Sequence, residues 1–253
     1  MLKSVWRTVL KWLPAALRLA VIFFVLFLTS TPVRAEETVV RNVQYIDYTN
    51  GSEKKICPEA IDITSVSGKK IGNGKWYVVT GRHTIDKRFT VEGECNIIFR
   101  DDNAIYDNKG ISCNAGNTLN LYSENYSHEG VFECDCTEDN CAAIGGDSGK
   151  SGGNINIHKM RLYVESNWGG AAIGGGKDGN SGNISIYNAR IIAKGGLNAA
   201  AIGGGNQGRV TSISIYGGDI EAEARGSYWY DNNEYKGHAD QQPGAFQLSK
   251  TGG

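Results

Sequence analysis

Two kinds of residue in this chain are equipped for chemistry, and they meet in one short segment. Glu133, Asp135, Glu138 and Asp139 are interleaved with Cys134, Cys136 and Cys141. Clustered carboxylates can hold a calcium ion or act as an acid/base pair on a glycosidic bond. Charged residues at a loop junction are more often simply solvated, so this stretch is where an activity would be sought and not a prediction of one. A Cys-x-Cys-x4-Cys spacing can bind zinc, but the nearest histidine, His128, stands at no matching position. With Cys57, Cys95 and Cys113 the cysteines number six, an even count that permits three disulfides of undetermined pairing in an exported protein. All six are read as disulfides or buried thiols that pin the chain. None of the four histidines stands at a recognisable spacing from a serine or cysteine nucleophile, so no hydrolytic triad is predicted. No catalytic residue, metal ligand or cofactor site is assigned.

Flat aromatic side chains are the other chemical resource, because they grip sugar rings through apolar contact. His158, Tyr187 and Tyr216 recur at a constant spacing, Trp168 falls at a glycine-flanked corner, and Tyr228, Trp229 and Tyr230 are consecutive. These seven are the candidate ligand-binding residues. The recurring three can equally be a cross-strand ladder that shields the backbone.

What positions them is a repeat. Ala142-Ala143-Ile144-Gly145-Gly146 returns as Ala171-Ala172-Ile173-Gly174-Gly175 and again as Ala200-Ala201-Ile202-Gly203-Gly204, both times at an offset of 29. Ile155, Ile184 and Ile213 keep the same register, as do Ile157, Ile186 and Ile215, and Leu162, Ile191 and Ile220. Each unit offers three short strands: the Ala-Ala-Ile segment, a stretch such as Asn183 to Tyr187, and one such as Arg190 to Lys194. Apolar and polar residues alternate in the second, the period of a strand with one face inward. No stretch is long enough for an amphipathic helix. Three strands per constant-length unit predict an all-β chain, a parallel β-solenoid whose coils stack at the strand spacing; a propeller blade needs a longer unit with four strands. No proline occurs between Pro58 and Pro243, as expected where strands are paired on both sides.

Outward-facing columns then follow: Asn156/Ser185/Ser214, His158/Tyr187/Tyr216, Arg161/Arg190/Asp219, Tyr163/Ile192/Glu221 and Glu165/Lys194/Glu223. None places two carboxylates on neighbouring coils, and the last alternates in sign, as a stabilising surface ladder would. Gly145-Gly146-Asp147-Ser148-Gly149 and its copy at 175–179 resemble calcium-binding loops, but the spacing differs and the third copy, 204–208, has no acid.

The amino terminus reads as an address. Lys3, Arg7, Lys11 and Arg18 precede an unbroken apolar run from Leu19 to Leu28, ten residues long. Crossing a bilayer as a helix takes about 20. The run leads to Val33-Arg34-Ala35, so 1–35 is predicted to be a signal peptide cleaved after Ala35. Residues 36–253 then hold 21 Lys and Arg against 27 Asp and Glu. That excess of acid argues against nucleic-acid and anionic-lipid partners. No second apolar span follows. The expected organisation is signal peptide 1–35, lead-in or amino-terminal cap 36–72, irregular early coils 73–141, regular repeats 142–226 and a degenerate or truncated final coil 227–253.

The Ala-Ala-Ile-Gly-Gly-Gly repeats with Ile-Ser-Ile strands, and the opening Trp76-Tyr77-Val78-Val79-Thr80-Gly81 with Phe89-Thr90-Val91, resemble glycine-rich repeat regions of secreted and cell-surface bacterial proteins. The resemblance covers roughly residues 73–226 and implies a right-handed parallel β-helix of the broad pectate-lyase-like type, with about seven coils of ~25–29 residues. It implies adhesins, carbohydrate-binding modules or polysaccharide-degrading enzymes, and carries over no catalytic motif. The expectation is a secreted or cell-surface, non-enzymatic protein binding a polysaccharide or host-surface glycan. An enzyme acting on acidic polysaccharide and a structural stalk are the alternatives.

Overall fold

The computed structural model describes residues 36–126 and 129–226, together with the backbone of Tyr228–Asp231 and Glu234–Gly237. The 1–35 segment lies outside the described residues. Strands dominate. Among the described residues the single helical element is the 3-10 turn Ile63–Ser65, capped by the Asp62 side chain accepting from the Thr64 N–H.

Two sheets carry the fold, and nearly every pairing in them is parallel. A six-stranded sheet runs through Lys70–Gly72, Phe89–Glu92, Ile111–Ser112, Ile144–Gly145, Ile173–Gly174 and Ile202–Gly203. A twelve-stranded sheet starts from the amino-terminal strands and passes through Lys75–Val79, Glu94–Phe99, Thr118–Ser123 and Asn154–His158 to the long strand Asn183–Leu197. From there it returns through Arg161–Ser166, Val131–Cys136, Ala104–Asp107 and Arg82–Ile85, while Ser212–Arg225 pairs with Asn183–Leu197 on its other side. Asn183–Leu197 joins what are two separate strands in the preceding unit, Asn154–His158 and Arg161–Ser166. The sequence pattern predicts two strands there. The corner residue of each unit, Lys159, Asn188 and Gly217, takes positive φ, yet the ladder to Ser212–Arg225 resumes at once beyond Asn188, with Ala189 opposite Gly218.

Strand partners within the repeats keep the offset of 29 in all three positions: Ile144 with Ile173 and Ile202, Asn154 with Asn183 and Ser212, Arg161 with Arg190 and Asp219. Before Ala142 the offsets vary. Lys75 pairs Cys95, Thr118 pairs Glu94, and Thr118 pairs Asn154, offsets of 20, 24 and 36. Loops of unequal length, among them the 137–140 turn, absorb the difference. The inward columns interdigitate into one core containing Ile97, Leu121, Ile157 and Ile186 from one face and Phe132, Leu162 and Ile191 from another. Ile144, Ile173 and Ile202 close it from the short sheet. Each fully buried side chain of this size contributes roughly 1.5–3 kcal/mol.

The lead-in does more than precede the repeats. Val39–Asp47 and Glu53–Asp62 form an antiparallel hairpin, and Ile61 and Asp62 continue as parallel partners of Tyr77 and Val78. Its register passes over Asn42, at φ 55, and Pro58, which has no N–H to give. The hairpin folds over the outer face of the twelve-stranded sheet, where Val43, Cys57 and Ala60 pack on Val78, Ile98 and Tyr122.

Candidate functional site

The outer face of the twelve-stranded sheet carries the predicted aromatic column, longer than the repeats alone define. Register places Tyr122, His158, Tyr187 and Tyr216 side by side. Their ring centroids are 4.6, 4.7 and 4.8 Å apart with interplanar angles of 26°, 14° and 10°. That spacing equals the separation of neighbouring strands, so the backbone ladder itself sets the stack. Trp76 lies over Tyr122 at 5.6 Å, and Tyr45 of the hairpin packs on both. Such pairs add about 0.5–1.5 kcal/mol each beyond area burial.

The column is thus largely consumed by the fold. His158 is 2% exposed, and its Nδ1 accepts the Tyr48 N–H at 3.1 Å, with Asp47 Oδ1 3.8 Å away. Burial pushes its pKa down to about 4, against the opposing pull of Asp47. The ring is therefore neutral, with its proton on Nε2. Asp47 is part-buried, which would raise its pKa, but hydrogen bonds from Lys55 and Thr49 outweigh this and bring it to about 2. His158 serves the fold and has no surface to offer a ligand. Tyr187 is half-buried, and Tyr216, 57% exposed, presents its ring at the end of the described stack. Trp168 is 51% exposed at a corner with φ 50 and makes no ring contact with the column among the described residues. Tyr228, Trp229 and Tyr230 fall in a strand paired antiparallel with Glu234–Gly237, and their side chains lie outside the described residues. Of the predicted ligand-binding residues whose side chains are described, His158, Tyr187 and Tyr216 share one column and Trp168 stands apart from it.

A different face does gather chemistry. On the strands Val131–Cys136, Arg161–Ser166 and Asn183–Leu197 the outward columns run Glu133, Tyr163, Ile192 and Asp135, Glu165, Lys194. They line an open groove of about 190 Å3. Asp135 stands directly opposite Glu165, so two carboxylates do occupy adjacent strands. This corrects the expectation from the repeats, which begins that column at Glu165. The 137–140 turn lengthens the step from Asp135 to Glu165 by one position beyond the repeat offset, and so hides the match from the register of the later units. Tyr106, opposite Glu133 on the other side, adds a second ring next to that carboxylate. Glu165 is ion-paired with Arg225, and Lys194 lies 3.9 Å from Glu223. Glu133 and Asp135 are exposed, leaving the groove with an excess of negative charge over an apolar floor of Tyr163 and Ile192.

A part-buried polar network joins residues from separate coils. Arg88 Nε binds Asp147 Oδ1 at 2.9 Å, while Ser112 and Asn114 donate to Asp147 Oδ2 at 2.8 and 2.9 Å. Asp147, the acid of the first glycine-rich loop, is thus engaged in a part-buried network. All six cysteines are free thiols. Among the described residues no group of three or more His, Cys, Asp or Glu is arranged to hold a metal ion, and no helix is long and apolar enough to cross a membrane. The chain matches no protein-family model, no curated protein and no solved structure.

Proposed function

We propose that this chain is an exported, non-catalytic carbohydrate-binding protein of the secreted or cell-surface kind, built as a right-handed parallel β-helix. The parallel register at one-repeat offset in both sheets supports the architecture, and the basic and apolar pattern of residues 1–35 supports export. The observation that carries the function is the groove of Glu133, Asp135, Tyr163, Glu165, Ile192 and Lys194. Sugar hydroxyls are donors that exposed carboxylates accept, and an apolar ring face rests on tyrosine. The excess of carboxylates disfavours anionic chains such as pectate, so the ligand is a neutral or amino-sugar polysaccharide.

One observation favours hydrolysis as a second reading: Asp135 stands opposite Glu165 on the adjacent strand, and glycosidases use a pair of carboxyl groups. The Arg225 ion pair counts against it, because it already engages a carboxylate oxygen of Glu165.

Calorimetric titration with soluble neutral oligosaccharides tests the assignment. Tyr163→Ala is expected to weaken binding about tenfold, equivalent to ~1.4 kcal/mol, with the circular dichroism spectrum unchanged. Trp168→Ala and Tyr216→Ala should leave affinity unaltered. If affinity instead falls only when Tyr228, Trp229 and Tyr230 are all replaced by alanine, the site belongs to the carboxyl-terminal hairpin and not to the groove.

A further inference from the structure

The sheet face that holds the groove alternates its side chains from strand to strand. Residues of neighbouring strands stand opposite one another in the order Tyr106, Glu133, Tyr163, Ile192, Glu221. Their chain neighbours Ile105, Phe132, Leu162 and Ile191 are buried, so this column is the solvent side of the strands. Tyr106 and Tyr163 are thus two strands apart, roughly 9.6 Å, with a carboxylate on the strand between them. The column of Tyr122, His158, Tyr187 and Tyr216 is built differently. There a ring stands on every strand, and each covers its neighbour at 4.6, 4.7 and 4.8 Å, which leaves no gap for a guest. Rings on alternate strands leave one. In an extended β-1,4-linked sugar chain successive rings turn over, so the same face recurs at every second sugar, a distance that two strand spacings match.

Charge selects among such chains. Arg161, Arg190, Lys194 and Arg225 are the cations of the strands Val131–Cys136, Arg161–Ser166, Asn183–Leu197 and Ser212–Arg225. Each has an acid partner: Glu129 at 3.3 Å, Asp219 at 3.7 Å, Glu223 at 3.9 Å and Glu165, respectively. Glu133, Asp135 and Glu221 are exposed and enter no ion pair among the described residues. A carboxylate without a protein cation attracts one from a ligand, and tyrosine rings on either side of Glu133 favour a cation as well.

We infer that the polymer taken by this groove carries free amines. It is a β-1,4-linked glucosamine chain laid across the strands, with sugars over Tyr163 and Tyr106 and the ammonium of the sugar between them on Glu133. The inference rests on the carbohydrate reading of the groove and adds the class of sugar, the direction of the chain and a second ring beyond the groove. Asp135, the next outward residue of the Glu133 strand, strengthens the field that holds the cation. Acetylation of the amine removes the charge and leaves Glu133 facing a neutral amide, so Glu133 is the residue that sets the preference.

The test is calorimetric titration of the full chain in low salt at about pH 5.5, where carboxylates are ionised and sugar amines protonated. Tetraglucosamine, tetra-N-acetylglucosamine and tetralysine are the probes. Tetraglucosamine is expected to bind about fivefold tighter than its N-acetyl counterpart, an advantage that shrinks as added salt screens it. Glu133→Gln should bring that ratio to within about twofold, and Tyr106→Ala should weaken tetraglucosamine about fivefold. Tetralysine, which has the charge without the sugar rings, should bind more weakly than tetraglucosamine. Equal affinity for the two sugars would overturn the inference and leave the groove a neutral-sugar site. A preference that survives Glu133→Gln would overturn it by placing the cation elsewhere, and tetralysine held as tightly as tetraglucosamine would overturn it in favour of a general polycation surface. Failure of both sugars to bind would overturn the carbohydrate reading and the inference with it. Glu133 is exposed and glutamine has its shape, so that variant decides the matter even if Tyr106→Ala fails to fold.

Discussion

Replacing Gly174 with alanine is expected to destabilise the chain by about 3 kcal/mol or more, a large share of the stability of an ordinary domain. Gly174 has φ +134, which L residues rarely adopt, and a Cβ there would penetrate the carbonyl oxygen of Gly203 on the neighbouring strand. That obstacle is backbone held in a paired ladder, so it cannot swing aside as a flexible side chain could. Gly149 is the control. Its φ of +75 is also positive, but a Cβ there meets nothing within 4 Å. Gly149→Ala should therefore cost only the backbone strain, about 1–2 kcal/mol. Urea denaturation of the two variants beside the wild type measures the difference. Equal losses would mean that the Ile173–Gly174 and Ile202–Gly203 strands do not approach as closely as the pairing requires.

The second large effect concerns pH. His158 titrates near 6.5 when unfolded and about 4 when folded, because burial penalises its charged form. Between those values the unfolded chain binds the additional proton, so the contribution of this ring falls as pH drops from 6.5 to 4. The loss amounts to about 3 kcal/mol. The groups facing the ring are Asp47, Lys55 behind it, and the rings of Tyr122 and Tyr187. Asp107 works in the opposite direction: burial raises its pKa to about 6, against hydrogen bonds from the Lys109, Gly110 and Asn108 N–H groups. Its contribution therefore falls as pH rises from 3.8 to 6 and partly masks the histidine in the wild type. Comparison with His158→Gln, which keeps an acceptor for the Tyr48 N–H but does not titrate, isolates the effect. Stability of the wild type relative to this variant should drop by about 3 kcal/mol between pH 7 and pH 4. A difference independent of pH would show that His158 is not buried beneath the hairpin.

These residues also show how much the chain discloses before its structure is known. A fixed offset of 29 is visible because every unit from Ala142 onward has the same length, and partner strands can then be named residue by residue. The inward isoleucines and the Tyr187–Tyr216 pair follow from that register. His158 stands in the same column and has the same outward direction. What covers it comes from far earlier in the chain, in Tyr48 and Asp47, and no local pattern links those positions. Periodicity specifies which face a side chain takes within its own unit but not what another segment lays on that face. The groove is hidden for a related reason. Glu133 and Asp135 read as a charge cluster on their own. Phe132 to Cys134 precede Leu162 to Val164 by one position more than the repeat offset, and allowing for that extra position sets Asp135 against Glu165. Arg88 and Asp147 come together across two unequal loops, and their pairing could not be read from spacing.

The most direct test of binding without catalysis is to incubate the full chain with insoluble cellulose, insoluble chitin and soluble pectate, then assay bound protein and released sugar in the same tubes. Retention on a neutral or amino-sugar polymer, none on pectate, and no new reducing or unsaturated ends is the predicted outcome. Released oligosaccharides would contradict it and make Asp135 and Glu165 the acid/base pair to mutate first. An absence of retention on every polymer would remove carbohydrate binding as the role of the groove.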